Sequence, residues 1–235
     1  MNPVGRRLWA SVWYLLEYLI LGWVLFAVAF SAVTVTLVLA VTLAGLPLLI
    51  ALAATIRGCA TVERARAGRF LGEPVSGRYR TATQPGLIAK VKAKWRDSAT
   101  WRDVAYLVGV FIPLMTLDTV VVVVWLVLLA GITLPIWYWA PQQTFDNGLT
   151  AHGVQLGYFP NGPHGHPAYG VYVDTLPKAL LAAAVFLILF LLFSFVVRIT
   201  ARAHAIVARA LLKAPEDPLA DAKEVLARPG PLPSL

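Results

Sequence analysis

Charge is scarce in this sequence and unevenly spread: Lys, Arg, Asp and Glu make up 14% of 235 residues, against 59% hydrophobic. From Leu8 to Ile56 the only charged side chain is Glu17, from Val104 to Trp139 only Asp118, and from Ala179 to Val197 there is none. A soluble domain needs far more polar surface. A spanning helix takes roughly 20 apolar residues, so the first block has room for two and each of the others for one. Mean hydropathy is +0.71. The chain reads as an all-α integral membrane protein.

Cysteine is almost missing as well. The lone Cys59 excludes an internal disulfide and a multi-cysteine metal site, and reads as a small buried thiol at the inner end of a span. Motifs of catalysis are missing too: no phosphate-cradling glycine loop, no nucleophile elbow and no carboxylate pair within one segment. No enzyme activity and no cofactor are expected. His204 sits among alanines and arginines without the acidic sequence neighbour that a phospho-accepting histidine needs. A cleaved leader would carry an apolar core of about 7–15 residues. The block behind Arg6 and Arg7 runs far past the small residues at 27–32, so an uncleaved first span is expected.

Of the 20 Lys and Arg residues, all but Lys178 fall in three places: Arg6 and Arg7, the segment from Arg57 to Arg102, and the stretch from Arg198 to Arg228. The stretch 141–177 has none. By the positive-inside rule both termini and residues 57–103 are cytoplasmic and 141–177 is outside, in a cell (plasma) membrane. Four spans satisfy this, at about 10–32, 34–56, 104–130 and 178–198. The formal charge of +8 is then a topology signal and an attraction to anionic membrane lipids. No nucleic-acid recognition motif accompanies it.

The two halves resemble each other. Trp9, Val12, Tyr14 and Leu15 match Trp101, Val104, Tyr106 and Leu107 at a constant offset of 92. Arg57, Ala60, Ala67 and Leu71 match Arg198, Ala201, Ala208 and Leu212 at an offset of 141. The expected architecture is two hairpin-like repeats over 1–213, each ending in an amphipathic cytoplasmic exit helix, followed by a short tail, 214–235. On the second exit helix Ile199, Ala203, Ile206, Val207, Ala210 and Leu211 can share an apolar face; on the first, Val62, Phe70 and Leu71 can. Residues 72–100 read as a cytoplasmic linker in which Asp97 to Thr100 offers caps for the third span.

In the outer loop, 153–159 and 169–174 alternate enough to pair as a β-hairpin around Pro160-Asn161-Gly162-Pro163. Trp137, Tyr138, Trp139, Phe159, Tyr169, Tyr172 and Asp174 form the expected surface for an envelope or lipid-phase ligand. His152, His164 and His166 invite a metal reading, but histidines in a polar loop are mostly solvated, and no metal is expected. Inside the membrane, Asp118 reads as a switch or as a neutral, hydrogen-bonded packing residue, with Thr116, Thr119, Thr34 or Thr36 in reach. Glu17 is nearer the end of its span and can reach towards Arg6 or Arg7.

The segments Asp97–Leu107 and Val173–Leu180, with Gly45-Leu46-Pro47-Leu48, Val62-Glu63-Arg64-Ala65, Leu71-Gly72 and Trp137-Tyr138-Trp139, together resemble the membrane sensor domain found at the N-terminus of many actinobacterial histidine kinases. The resemblance extends to about Lys213. It implies a multi-pass sensor or signalling accessory. Only 22 residues follow Lys213, too few for kinase domains, so the resemblance implies relay through a separate histidine kinase or regulator, and a homodimer. The competing expectation is an accessory or immunity subunit of a transport or efflux system, with a transporter subunit as partner.

Overall fold

The computed structural model describes residues 3–39, 46–79 and 86–214, without the side chains of residues 3–6 and 39. Gly45, Arg80, Lys223, Arg228, the rest of the tail from 215 and the side chain of Arg6 lie outside the described residues. Helices dominate: α1 Pro3–Leu39, α2 Leu46–Leu71, α3 Leu87–Trp95, α4 Ser98–Val104, α5 Phe111–Ile132, α6 Leu134–Trp137 and α7 Leu176–Leu212. Four of these are long and apolar enough to cross a membrane: α1 from Arg7, α2, α5 and α7.

The expected boundary at residue 33 lies inside α1, which runs on to Leu39. Nothing from Ala32 to Leu39 stops a helix, whereas Pro47 fits a first helical turn, and there α2 begins. The exit helices are continuations of the apolar helices: α2 and α7 run unbroken to Leu71 and Leu212. Between α4 and α5 lies a π-helical turn, Ala105–Gly109, closed by the Val110 N–H on the Ala105 carbonyl at 3.0 Å. It precedes Pro113, whose missing N–H makes a regular ladder impossible there. Asp97 caps α4, accepting from the Ala99 N–H at 3.1 Å. The segment read as linker contains α3.

The chain divides into two compact units, Met1–Gly22 with Pro113–His204, and Trp23–Ile112 with Ala205–Leu235. In the first, the buried residues of α5 are Leu114, Met115, Asp118, Val121, Val122 and Trp125, a helical stripe on which Trp125 meets Trp9 of α1 and Phe190 of α7 and Asp118 meets His204 of α7. Gly131 lets the Phe186 ring lie directly on the α5 backbone: a Cβ there would come within 2.3 Å of the ring. The 141–177 loop forms two ribbons. Strand β1 (Gln142–Thr144) pairs with β2 (Thr150–His152), and β3 (Val154–Tyr158) with β4 (Tyr169–Val173), both antiparallel. Gly157 faces Gly170 in register, both with φ well above zero, and a Cβ on either would strike the opposite backbone. The ribbon β1–β2 was not anticipated by the strand reading.

The second unit packs α2 against α3 and α4. Its buried face of α2 is Leu49, Ala53, Ile56, Ala60, Glu63, Arg64, Arg66 and Ala67. Of the expected apolar exit-helix faces, Val62, Ile199 and Ile206 are exposed, as on a face that rests on headgroups, and the residues packed within the protein are Ala60, Ala67, Ala201, Ala205 and Ala208. Small side chains let helix backbones approach closely, so alanine, not isoleucine, marks the contact face.

The contacts of α1 in the first unit are at odds with the expected orientation. In the first unit Trp9 meets Trp125, while Tyr18 meets the His204 ring that is bonded to Asp118. Here α1 therefore runs antiparallel to α5, whereas the four-crossing reading makes them parallel. In the second unit the Trp95 indole N–H donates to the Leu49 carbonyl at 3.1 Å. In the first unit buried polar and aromatic pairing decides which helices lie together, and a count of basic residues does not see it.

Candidate functional site

Two buried polar clusters stand out, one in each unit. In the first, His204 Nδ1 lies 2.6 Å from Asp118 Oδ2, and both side chains are fully buried. The Tyr14 and Tyr18 rings stand edge-on to the imidazole, with centroids at 5.4 and 4.3 Å. Asp118 Oδ1 is buried with no hydrogen-bond partner. The titratable groups at the pair are thus Asp118 of α5, His204 of α7, and Tyr14 and Tyr18 of α1; Glu17 is half-buried one turn away on α1. This buried carboxyl–imidazole contact joins α5 to α7, and losing either partner leaves the other polar group buried without it.

The partner of Asp118 is therefore not one of the threonines expected. The Thr119, Thr34 and Thr36 hydroxyls donate to carbonyls of their own helices at 2.7, 2.9 and 2.7 Å. His204 was passed over because its acidic neighbour comes from 86 residues away. A signal was present: His204 lies on the stripe Val197, Ala201, His204, Ala208, whose spacing is that of one helix face.

In the second unit α2 and α4 lie side by side and carry three rungs of buried charge. Arg57 reaches Asp97 at 3.2 Å and the Thr100 hydroxyl at 2.8 Å. Glu63 takes Arg66 at 2.9 Å and the Tyr106 hydroxyl at 2.8 Å. Arg64 donates to Asp103 at 2.5 Å, to the Tyr79 hydroxyl at 2.6 Å and to the Leu212 carbonyl at 2.9 Å. The Tyr79 hydroxyl in turn donates to Asp103 Oδ2 at 2.7 Å. Burial, then the hydrogen bond to Asp103, pushes the Tyr79 phenol up to about 12. Burial also raises the Asp103 carboxyl, against the pull of Tyr79 and Arg64. Arg102 completes the arrangement, donating to the Ala210 and Lys213 carbonyls at 2.9 and 2.7 Å. Two arginines thus cap the C-terminal carbonyls of α7, groups that a helix otherwise leaves unpaired.

The expected ligand surface is split. Trp137 and Tyr138 pack with Leu134, Val173 and Ala179, while Phe159 and Tyr172 form a separate core with Phe145. Trp139 and Tyr169 are exposed. Asp174 bonds Lys178 at 2.7 Å, which holds its carboxyl below the usual range. Burial raises the Tyr172 phenol. Among the described residues no group of three or more His, Cys, Asp or Glu side chains is placed to hold a metal, so the structure does not gather His152, His164 and His166 into a site.

The family described as "Putative sensor" matches residues 14–212. Neither the curated proteins nor the solved structures return a match.

Proposed function

The chain belongs to that sensor family, and from this premise we propose that it is a membrane sensor in which the Asp118–His204 pair sets the state and the capped end of α7 is the output. The observation that carries the reading is the full burial of one acid–imidazole contact joining α5 to α7. A carboxyl or imidazole charged and unpaired in that setting is costly, so a signal that shifts either helix selects between packings. The 141–177 loop, whose β4 ends on the buried Val173 beside Ala179 of α7, is the input face for an envelope or lipid-phase ligand. Output passes to a separate histidine kinase, regulator or second copy of the chain.

The test is photo-crosslinking from the exposed Arg202 position in native membranes, with the wild-type chain and with 141–177 replaced by a short Gly/Ser linker. A relay gives a discrete adduct whose yield depends on the loop. An unchanged yield removes the loop from the mechanism. A transport or efflux accessory is the second reading, favoured by the buried carboxyl in a candidate span. Under it Asp118→Asn abolishes proton-coupled flux; a sensor shows no flux to abolish.

A further inference from the structure

The structure assigns α3 to the surface of a bilayer containing anionic phospholipid. This goes beyond the sensor reading and rests only on the chain being a membrane protein. The helix Leu87–Trp95 has no buried residue, and its first turn exposes Leu87 (50%) and Ile88 (67%). At 100° per residue, Leu87, Ile88, Val91 and Trp95 fall within one apolar sector, flanked by Lys92 on one side and Lys90 and Lys94 on the other. Lys90 and Lys92 are exposed. Such a helix lies in the plane of a membrane interface, with its apolar side down and its amines at the headgroups.

Position supports the assignment. The Trp95 indole ties α3 to the Leu49 carbonyl in the first turn of α2, which is where a candidate span starts. Trp101, exposed, donates its indole N–H to the Trp95 carbonyl at 2.8 Å and meets the Trp95 ring edge-on at 6.2 Å. A pair of indoles at the end of an apolar helix is the usual furniture of the headgroup level. No acidic residue occurs between Leu87 and Arg96. The face is therefore matched to a negative surface and would gain nothing from a cationic one.

The test uses the full-length chain in nanodiscs, with Cys59→Ser and an environment-sensitive fluorophore on Ile88→Cys. Discs of phosphatidylcholine alone are compared with discs enriched in phosphatidylglycerol, and contact is read as quenching by brominated acyl chains. Quenching should rise with phosphatidylglycerol and weaken at high salt. Each lysine near an anionic surface contributes a factor of about five, so Lys90→Gln with Lys92→Gln should weaken the lipid-dependent contact about 25-fold. An unshifted melting curve shows that this double variant folds; Leu87→Gln, which should also reduce quenching, serves if it does not. Inorganic phosphate, at the ionic strength of a chloride control, should leave the signal unchanged. Selective displacement by phosphate would make this a site for a free anion and overturn the assignment. Equal quenching in both lipids, or none in either because another face of protein covers α3, would overturn it too.

Discussion

The two buried clusters differ in how completely they are satisfied. In the second unit each ionised group has several partners: Arg64 alone makes three contacts from two helices and a loop. In the first unit a single hydrogen bond joins Asp118 to His204, and the second carboxyl oxygen has none. A polar network with every member paired fixes one geometry, whereas a half-satisfied pair leaves a choice of packing. The comparison teaches where rigidity and switching belong: the arginine ladder is a frame, and the acid–imidazole pair is the joint.

The largest effect expected is on the frame. Arg64→Ala leaves Asp103 buried without its ion-pair partner and removes one of the two arginines that cap α7, at a cost of about 3–5 kcal/mol. Helix melting in detergent reads it, and Arg64→Lys should recover little, because an ammonium cannot serve three acceptors in fixed directions. A melting temperature unchanged by Arg64→Ala would reduce the ladder to decoration. Next is Gly131→Ala in the joint's own unit. Its Cβ overlaps Phe186, so a loss of about 1–3 kcal/mol should appear in the same assay.

Smaller effects sharpen the contrast through pH. Tyr79 titrates near 10 when unfolded and is held up to about 12 in the fold. Its contribution is therefore complete below pH 10 and lost as pH rises through about 12. A difference absorbance titration against Tyr79→Phe should show that high transition. Asp174 is the opposite and weakest case: its carboxyl is depressed by Lys178, so its contribution is present above the ordinary carboxylate range and fades as pH falls. The pair is exposed, and Lys178→Gln should shift stability by no more than about 1 kcal/mol.

Much of this was legible in the sequence, and the limits have physical causes. Apolar blocks located the long helices because length and hydropathy alone decide membrane compatibility. Asp97 as a cap and Asp118 as a buried acid follow from local chemistry. The contact faces did not follow, because in a block such as Val120–Val124 every position is equally apolar and periodicity vanishes. The basic stretch 57–103 reads as a topology signal and an attraction to anionic lipid, yet Arg57, Arg64 and Arg66 point inward to Asp97, Asp103 and Glu63. Composition cannot distinguish a surface arginine from a paired one. His204 was missed for the same reason: a partner 86 residues away leaves no local mark.

The joint itself is tested most directly by spin labels on the exposed Val120 and Ile199, which lie on α5 and α7 of the same unit. Distances between them would be measured in the wild type and in Asp118→Asn. The account predicts two distance populations in the wild type and a single population in Asp118→Asn. The same two populations in Asp118→Asn, or one fixed distance in the wild type, would contradict it.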